Sequence, residues 1–424
     1  MSVLQDVDTT TPLPNGEVHG KLIQDPKLFS PTISYGLPFD QAIPRHVAAD
    51  AKVFVLASPS LCKNTDALDR LKAALGDRIK GVQMGMAQHT LLEECVEVFR
   101  AMQAAQADTV ITLGAGSLAD AAKLICAMTA NELDSVDALA KYEIVRHAED
   151  MKLVFPALTP HKQNLIMVPT TLSGGEHTFI AGVTDGKTKR KYQVAAGGST
   201  VTILDPWLCL STPSRIWLET GVRGIDHGVE IGVGRGSRDE VIETSLRGLR
   251  FLIPGLLAAR QDKEGTNVQA RLRAQLGVAL TITPFMWGDC YPGASHGIGH
   301  MLGPMGVKHG ETSCVLLPAV CRYNKSANGD KQAAIASGLW NEPTCAELFA
   351  SKGLTPDEAD LADLLHHIIS ELGMPRNLQE VGVEGDEKLQ RLAENSLHDF
   401  SVKLNPRPIH KPEHVMEILR AVEK

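Results

Sequence analysis

The first half of the chain alternates short apolar runs with amphipathic stretches. Val53-Phe54-Val55-Leu56-Ala57 is continuous and β-rich, the pattern of a strand buried on both faces. A helical stretch follows near Ala67 to Leu75, then a second strand before Gly85. From Leu91 to Gln106 the apolar positions Leu92, Cys95, Val96, Phe99, Met102 and Ala105 line one face of a helix. Thr109-Val110-Ile111-Thr112-Leu113 is another apolar strand, and it runs straight into a glycine-rich turn. Strand, helix, strand in this order predicts a parallel sheet with helices on both faces. Asp185-Gly186 marks a hairpin between Ile180–Val183 and the stretch after Tyr192, with the basic run from Lys187 to Lys191 as its solvated tip. After Asp205-Pro206 the strand-like runs nearly vanish and long helical patterns take over. The reading is an extended, aperiodic arm over residues 1–32, a Rossmann-like α/β parallel-sheet domain over 33–205, and an all-α domain over 206–424.

Composition narrows the class. A chain of 424 residues exceeds one ordinary core, which agrees with two domains. Its 43% hydrophobic and 22% charged residues describe an ordinary globular protein. A net charge of -8 gives solubility and argues against a nucleic-acid surface, which needs local excess of Lys and Arg. Eight scattered cysteines form no CxxC pair, so reduced, mostly buried thiols are expected rather than a zinc knuckle or disulfide framework. The first twenty residues lack a basic start and an apolar run, and no segment approaches the roughly 18 apolar residues of a membrane span. The expectation is a cytoplasmic protein without membrane or nucleic-acid partners.

Three motifs carry chemistry. Gly114-Ala115-Gly116-Ser117 follows a strand and opens a helix, where backbone N–H groups and the helix dipole favour a phosphate. Such a turn alone is a weak signal; Asp120 and Lys123 at fixed spacing sharpen it. Val168-Pro169-Thr170-Thr171-Leu172-Ser173-Gly174-Gly175-Glu176 clusters hydroxyls and glycines after an apolar strand, which suits hydrogen bonds to a ribose or phosphate. The third constellation is histidine-rich: Asp226 and His227, then His296 and His300, then His309. His296 and His300 are four apart and share a helix face, suited to a metal or a proton relay.

Together these motifs resemble the iron-containing alcohol dehydrogenases over roughly residues 30 to 420. The short spacing before Glu176, and Gly310-Glu311-Thr312 after His309, look like the maleylacetate-reductase branch, which fungal pathway dehydrogenases also fit. The resemblance implies NAD(H) or NADP(H) bound by Gly114, Ala115, Gly116, Ser117, Asp120, Thr170, Thr171 and Ser173. Ser58 and Ser60 would lie near the adenosine, and His89 in a loosely matching segment near the cofactor. No acidic residue stands at the end of the first strand, so the choice between the two dinucleotides stays open. Family members hold Fe2+ or Zn2+ through one His in each segment and an Asp, which points to His227, His296 and His309. The family's Asp falls four residues before His227, and here that residue is Arg223. Either Asp226 completes a metal site, or it pairs with Arg223 and the guanidinium assumes part of the metal's electrostatic role.

The resemblance thus implies catalytic roles for Arg223, His227, His300 and His309. The expected reaction is hydride transfer to an unsaturated or keto carboxylic acid, an anionic small molecule, in a homo-oligomer, a dimer. The alternatives are a metal-dependent alcohol–aldehyde enzyme and a non-redox or silent member of the dehydroquinate-synthase-like fold.

Overall fold

In the computed structural model, which describes residues 12–87, 90–146 and 153–424, contacts divide the chain into two units, Met1–Thr212 and Pro213–Lys424. The first unit carries strands β1 (Val18–Lys21), β2 (Thr32–Tyr35), β3 (Val53–Ala57), β4 (Ile79–Met84) and β5 (Thr109–Gly114). A short pair β6 (Val145–Arg146) and β7 (Leu153–Val154) follows, then β8 (Asn164–Pro169), the hairpin β9 (Ala181–Thr184) and β10 (Lys191–Val194), and β11 (Val201–Leu204). Seven of these form one sheet in the order β1-β2-β11-β8-β5-β3-β4. Every pairing in it is parallel except β1 with β2.

Its helices are α1 (Phe39–His46), α2 (Pro59–Asn64), α3 (Ala67–Leu75), α4 (Leu92–Ala104), α5 (Gly116–Met128), α6 (Val136–Lys141) and α7 (Pro206–Cys209). Alternation along β3 explains the layering. Val53, Val55 and Ala57 pack with α1 and α3 on one face, while Phe54 and Leu56 pack with α4 and α5 on the other. A strand covered on both sides must be apolar throughout, which is the continuous run seen in the sequence.

One expectation needs correction. Residues 1–32 were read as an aperiodic arm, yet Val18–Lys21 forms the antiparallel edge strand of the sheet, pairing with Thr32–Tyr35. Its alternation is half-buried only, and four residues are too few to show a period.

The second unit is helical, with no strand among its described residues. It comprises α8 (Ser214–Gly232), α9 (Asp239–Gln261), α10 (Val268–Ile282), α11 (Ala294–Leu302) and α12 (His309–Trp340). Then come α13 (Pro343–Ser351), α14 (Leu361–Glu371), α15 (Asp386–Ser396), α16 (Phe400–Lys403) and α17 (Pro412–Arg420). Helix α8 is central: every residue from Gly221 to Gly232 is buried, the charged ones included. Close packing depends on missing side chains. A Cβ on Gly277 of α10 would meet the Leu252 backbone nitrogen of α9 at 2.6 Å, so these two helices pack backbone against backbone. Among the described residues no helix is long and apolar enough to cross a membrane.

Candidate functional site

The first unit gathers its motif residues at the end of β5. Gly114 has φ +147, and a Cβ there would sit 2.7 Å from Leu118 Cδ1 and 2.9 Å from Ser58 Cβ. Only glycine fits that turn. Helix α5 begins at Gly116 with Ala115 as its N-cap and no side-chain cap, so its first N–H groups remain for an anion. Ser173 lies across this first turn, since a Cβ on Gly116 would be 2.8 Å from Ser173 Oγ. Its hydroxyl is 3.4 Å from Thr171 Oγ1. Thr170 is buried, and its N–H donates to Gly114 O at 3.1 Å, tying the two loops together. Ser58 caps α2 by accepting from Leu61 N, and its Oγ is 3.0 Å from Ser60 Oγ. Its own N–H donates to Leu113 O at 2.9 Å, so it stands beside Gly114.

Asp120 and Lys123 act in the framework of this loop. The fully buried Lys123 ammonium lies 2.8 Å from Asp120 Oδ1 and donates to Gly175 O at 3.0 Å and to Ile180 O. Asp120 Oδ2 accepts from Gly182 N at 3.2 Å. The pair fastens α5 to the Thr170–Gly182 segment, which sets the loop that faces Gly116. Next to it, burial pushes Glu176 up to about 7 and His177 down to about 3. His89 lies outside the described residues.

In the second unit the structure brings the histidines into one layer. The rings of His227 and His296 are 5.0 Å apart, those of His296 and His300 4.9 Å, and those of His300 and His309 6.1 Å and stacked. Helix α8 supplies Arg223, Asp226 and His227, α11 supplies His296 and His300, and His309 opens α12. Arg223 is 1% exposed. Its Nη1 donates to Ser313 Oγ at 2.8 Å and lies 3.4 Å from Asp226 Oδ2. Its Nε and Nη2 have no partner among the described residues. The same Asp226 oxygen is 3.2 Å from His296 Nδ1. Thus Asp226 pairs with Arg223, one of the two arrangements the sequence allowed.

Three residues that sequence reasoning left without a role complete the layer. Glu230 accepts from Gly293 N at 3.0 Å and from Ser295 N and His296 N at 2.9 Å each. It clamps the start of α11 and so places His296. Ser313 holds Arg223, and Asp399 holds His300, its Oδ2 lying 2.8 Å from His300 Nδ1. Helical spacing marks two of them, since Glu230 follows Arg223 at i+7 and Ser313 follows His309 at i+4. Asp399 arrives from a distant segment and has no such signal.

The electrostatics follow burial and the one fixed cation. Burial, then the Arg223 charge, then His300 push His227 down to about 3. His296 is driven well below its ordinary value by burial first and by Arg223 next. Burial raises Asp226, with Arg223 opposing. Glu230 rises to about 8 through burial and then the charge of Asp226, against its three backbone donors.

A divalent metal in this layer would be opposed by the Arg223 guanidinium. Among the described residues the candidate ligand atoms are those of Asp226, Glu230 and His296, which lie within 4.8 Å of one another. His227 and His309, expected as ligands, are not in that group. Asp226 is engaged by a guanidinium, and Glu230 by three backbone N–H groups. A dication at about 2.1 Å from Asp226 Oδ2, the oxygen paired with Arg223, would lie no more than about 5.5 Å from Arg223 Nη1. With an effective dielectric near 20, the repulsion is at least about 6 kcal/mol.

The comparisons agree with this architecture. The family model for iron-containing alcohol dehydrogenase matches residues 40–206, and that for the Fe-containing alcohol dehydrogenase family, C-terminal, matches residues 218–422. The chain is 38% identical over 416 residues to Dehydrogenase FUM7 of Gibberella moniliformis, covering 92% of this chain and 95% of that protein. It is 37% identical to Dehydrogenase ALT3 of Alternaria alternata, covering 87% and 98%. The solved maleylacetate reductase from Agrobacterium tumefaciens superposes with a TM-score of 0.69 at 24% identity, covering 91% and 92%, a likeness of fold. Fungal dehydrogenases, one of the kinds the motifs pointed to, are therefore among the relatives. The chain belongs to the iron-containing alcohol dehydrogenase family and is an NAD(P)-dependent oxidoreductase acting on a small molecule.

Proposed function

We propose that this oxidoreductase reduces an unsaturated or keto carboxylic acid with NAD(P)H, and that Arg223 serves in place of the family's metal. The observation that carries this is the buried Arg223 guanidinium in the histidine layer, with two nitrogens, Nε and Nη2, left without a partner among the described residues. In reduction of a conjugated acid, hydride from the nicotinamide C4 adds to the β-carbon. The C=C electron pair moves onto the conjugated carbonyl oxygen, and a proton then adds to the α-carbon. A fixed cation stabilises the enolate and attracts the substrate carboxylate. A histidine of the layer supplies the proton. A simple aldehyde lacks the second anionic group that such a cation would select. Dinucleotide binding falls to the Gly114–Ser117 turn with Thr170, Thr171 and Ser173. Both NADH and NADPH suit a strand end whose polar groups are the hydroxyls of Ser58 and Ser60. Eight cysteines in no disulfide, seven of them buried, suit a reducing compartment, and the proposal places the enzyme in the cytoplasm.

The rival is an alcohol–aldehyde enzyme with a metal on Asp226, Glu230 and His296. It requires a dication beside the Arg223 guanidinium, on an Asp226 whose Oδ2 is already paired. The deciding experiment is oxidation of NADH and of NADPH against enoic acids, keto acids and aldehydes, with and without exhaustive chelation. The proposal expects turnover of the acids that survives chelation; turnover of aldehydes alone, lost on chelation, overturns it.

A further inference from the structure

Among the histidines of the layer, His300 is held by the carboxylate of Asp399. Asp399 Oδ2 is 2.8 Å from His300 Nδ1, and the two side chains are 9% and 11% exposed. Asp399 is the N-cap of α16, where its other oxygen accepts from Ser401 N at 2.8 Å. Both oxygens are therefore engaged and the carboxylate cannot swing away from the ring without losing a cap. Gly297 makes the approach possible. A Cβ there would sit 2.8 Å from Asp399 Oδ1 and 2.6 Å from Val402 Cγ2, so α16 reaches α11 only because residue 297 has no side chain.

We infer that Asp399 is a positioning residue of the hydride-transfer reaction, holding His300 in the orientation and tautomer that make His300 Nε2 the atom that gives or takes the substrate's proton. A carboxylate is an acceptor only, so it takes a hydrogen from His300 Nδ1 in both charge states of the ring. Nε2–H is then the acid of the imidazolium, and bare Nε2 is what remains after transfer. In the direction of reduction, the Nε2–H bond breaks as the proton passes to the substrate. The neutral ring stays bonded to Asp399 through Nδ1–H, and solvent returns the proton. His296 differs: its Nδ1 faces an Asp226 oxygen that a guanidinium already engages.

The choice of proton donor rests on the proposed reaction, while the role of Asp399 is open to test on any substrate the enzyme turns over. Asp399→Ser and Asp399→Asn both keep a capping oxygen for α16 and remove the carboxylate. Gly297→Ala displaces the carboxylate without altering either partner. In both Asp399 variants kcat should fall on the order of 10²-fold with KM within a few-fold of wild type and an unchanged melting temperature. The solvent deuterium isotope effect on kcat should grow, and the primary effect from C4-deuterated NAD(P)H should shrink toward unity, as proton transfer becomes limiting. Gly297→Ala should show the same isotope pattern to a smaller degree. Wild-type kcat in either Asp399 variant, or a loss of kcat with both isotope effects unchanged, overturns the inference. If aldehydes turn over and acids do not, the proposed substrate class fails, and the isotope effects on the aldehyde still decide the role of Asp399.

Discussion

Replacing Arg223 by lysine separates a guanidinium that works through its fork from one whose presence is incidental to a metal. The native side chain makes a 2.8 Å bond to Ser313 Oγ and a 3.4 Å ion pair with Asp226 from a single nitrogen, leaving two nitrogens over. Lysine keeps the charge but offers a compact ammonium without the planar fork. Losing one hydrogen bond to a charged group is worth about 1.5–3 kcal/mol, so kcat/KM for a carboxylate substrate should fall about 10- to 150-fold. Arg223→Met removes the charge and leaves Asp226 buried without its cation, which costs about 3–5 kcal/mol of stability. For a unit of this size that lowers the melting temperature by the order of 10 °C. Arg223→Met with Asp226→Asn should restore most of the stability and none of the activity. The assay is steady-state oxidation of NAD(P)H by the acid, before and after dialysis against chelator, with elemental analysis of the active protein. Stoichiometric iron or zinc, lost together with activity on chelation, in a protein whose Arg223→Lys variant performs normally, would refute the reasoning.

Three further outcomes are expected. Gly116→Val places a branched side chain against Ser173 Oγ, already 2.8 Å from a bare Cβ, and should weaken NADH binding about 100-fold or more in fluorescence titration while the fold persists. His309→Ala should lower kcat on the order of 10²-fold or more whatever the substrate class; near-wild-type turnover would remove this residue from the site. Burial lifts Glu176 from 4.5 to about 7, so between those pH values the folded chain keeps a proton that the unfolded chain has released. This group's contribution to stability therefore falls as pH rises through that window, and Glu176→Gln should gain about 3 kcal/mol on wild type near pH 8 and almost nothing near pH 4 in denaturant titrations.

The parallel sheet was legible because each central strand is covered on both faces. Burial on both sides forces runs such as Val53–Ala57 and Thr109–Leu113 to be apolar at every position, and such runs stand out. The edge strand Val18–Lys21 escaped because one face meets solvent and its length is four residues. Local spacing likewise gave His296 with His300, and the turn from Gly114 to Ser117, since these arise within one helix or at one strand end. Partnerships across elements were not legible. Glu230 reaches the start of α11 and Asp399 reaches His300 through packing that only the fold creates. Asp120 shows a further part of this: its carboxylate is engaged by Lys123 and by Gly182 N, contacts across elements that spacing does not reveal.

The charge balance of the histidine layer shows why one substitution changes what the layer can bind. A carboxylate at position 223 beside Asp226 and Glu230 would give three acidic groups around His227 and His296, a set that attracts a dication. Arginine at 223 changes that sum by two units of charge. It also ties up Asp226, which lies 3.2 Å from His296 Nδ1, in an ion pair 3.4 Å long. Glu230 is drawn off by the start of α11, and Asp399 by His300. What remains is a buried guanidinium whose Nε and Nη2 have no partner among the described residues. Burial first, and the Arg223 charge next, disfavour imidazolium in the layer and hold His227 down to about 3. Binding an anion close to those nitrogens relieves the same repulsion that binding a metal would increase. On the proposed reading the layer discriminates by sign of charge, and a carboxylate-bearing substrate is the partner that would satisfy it.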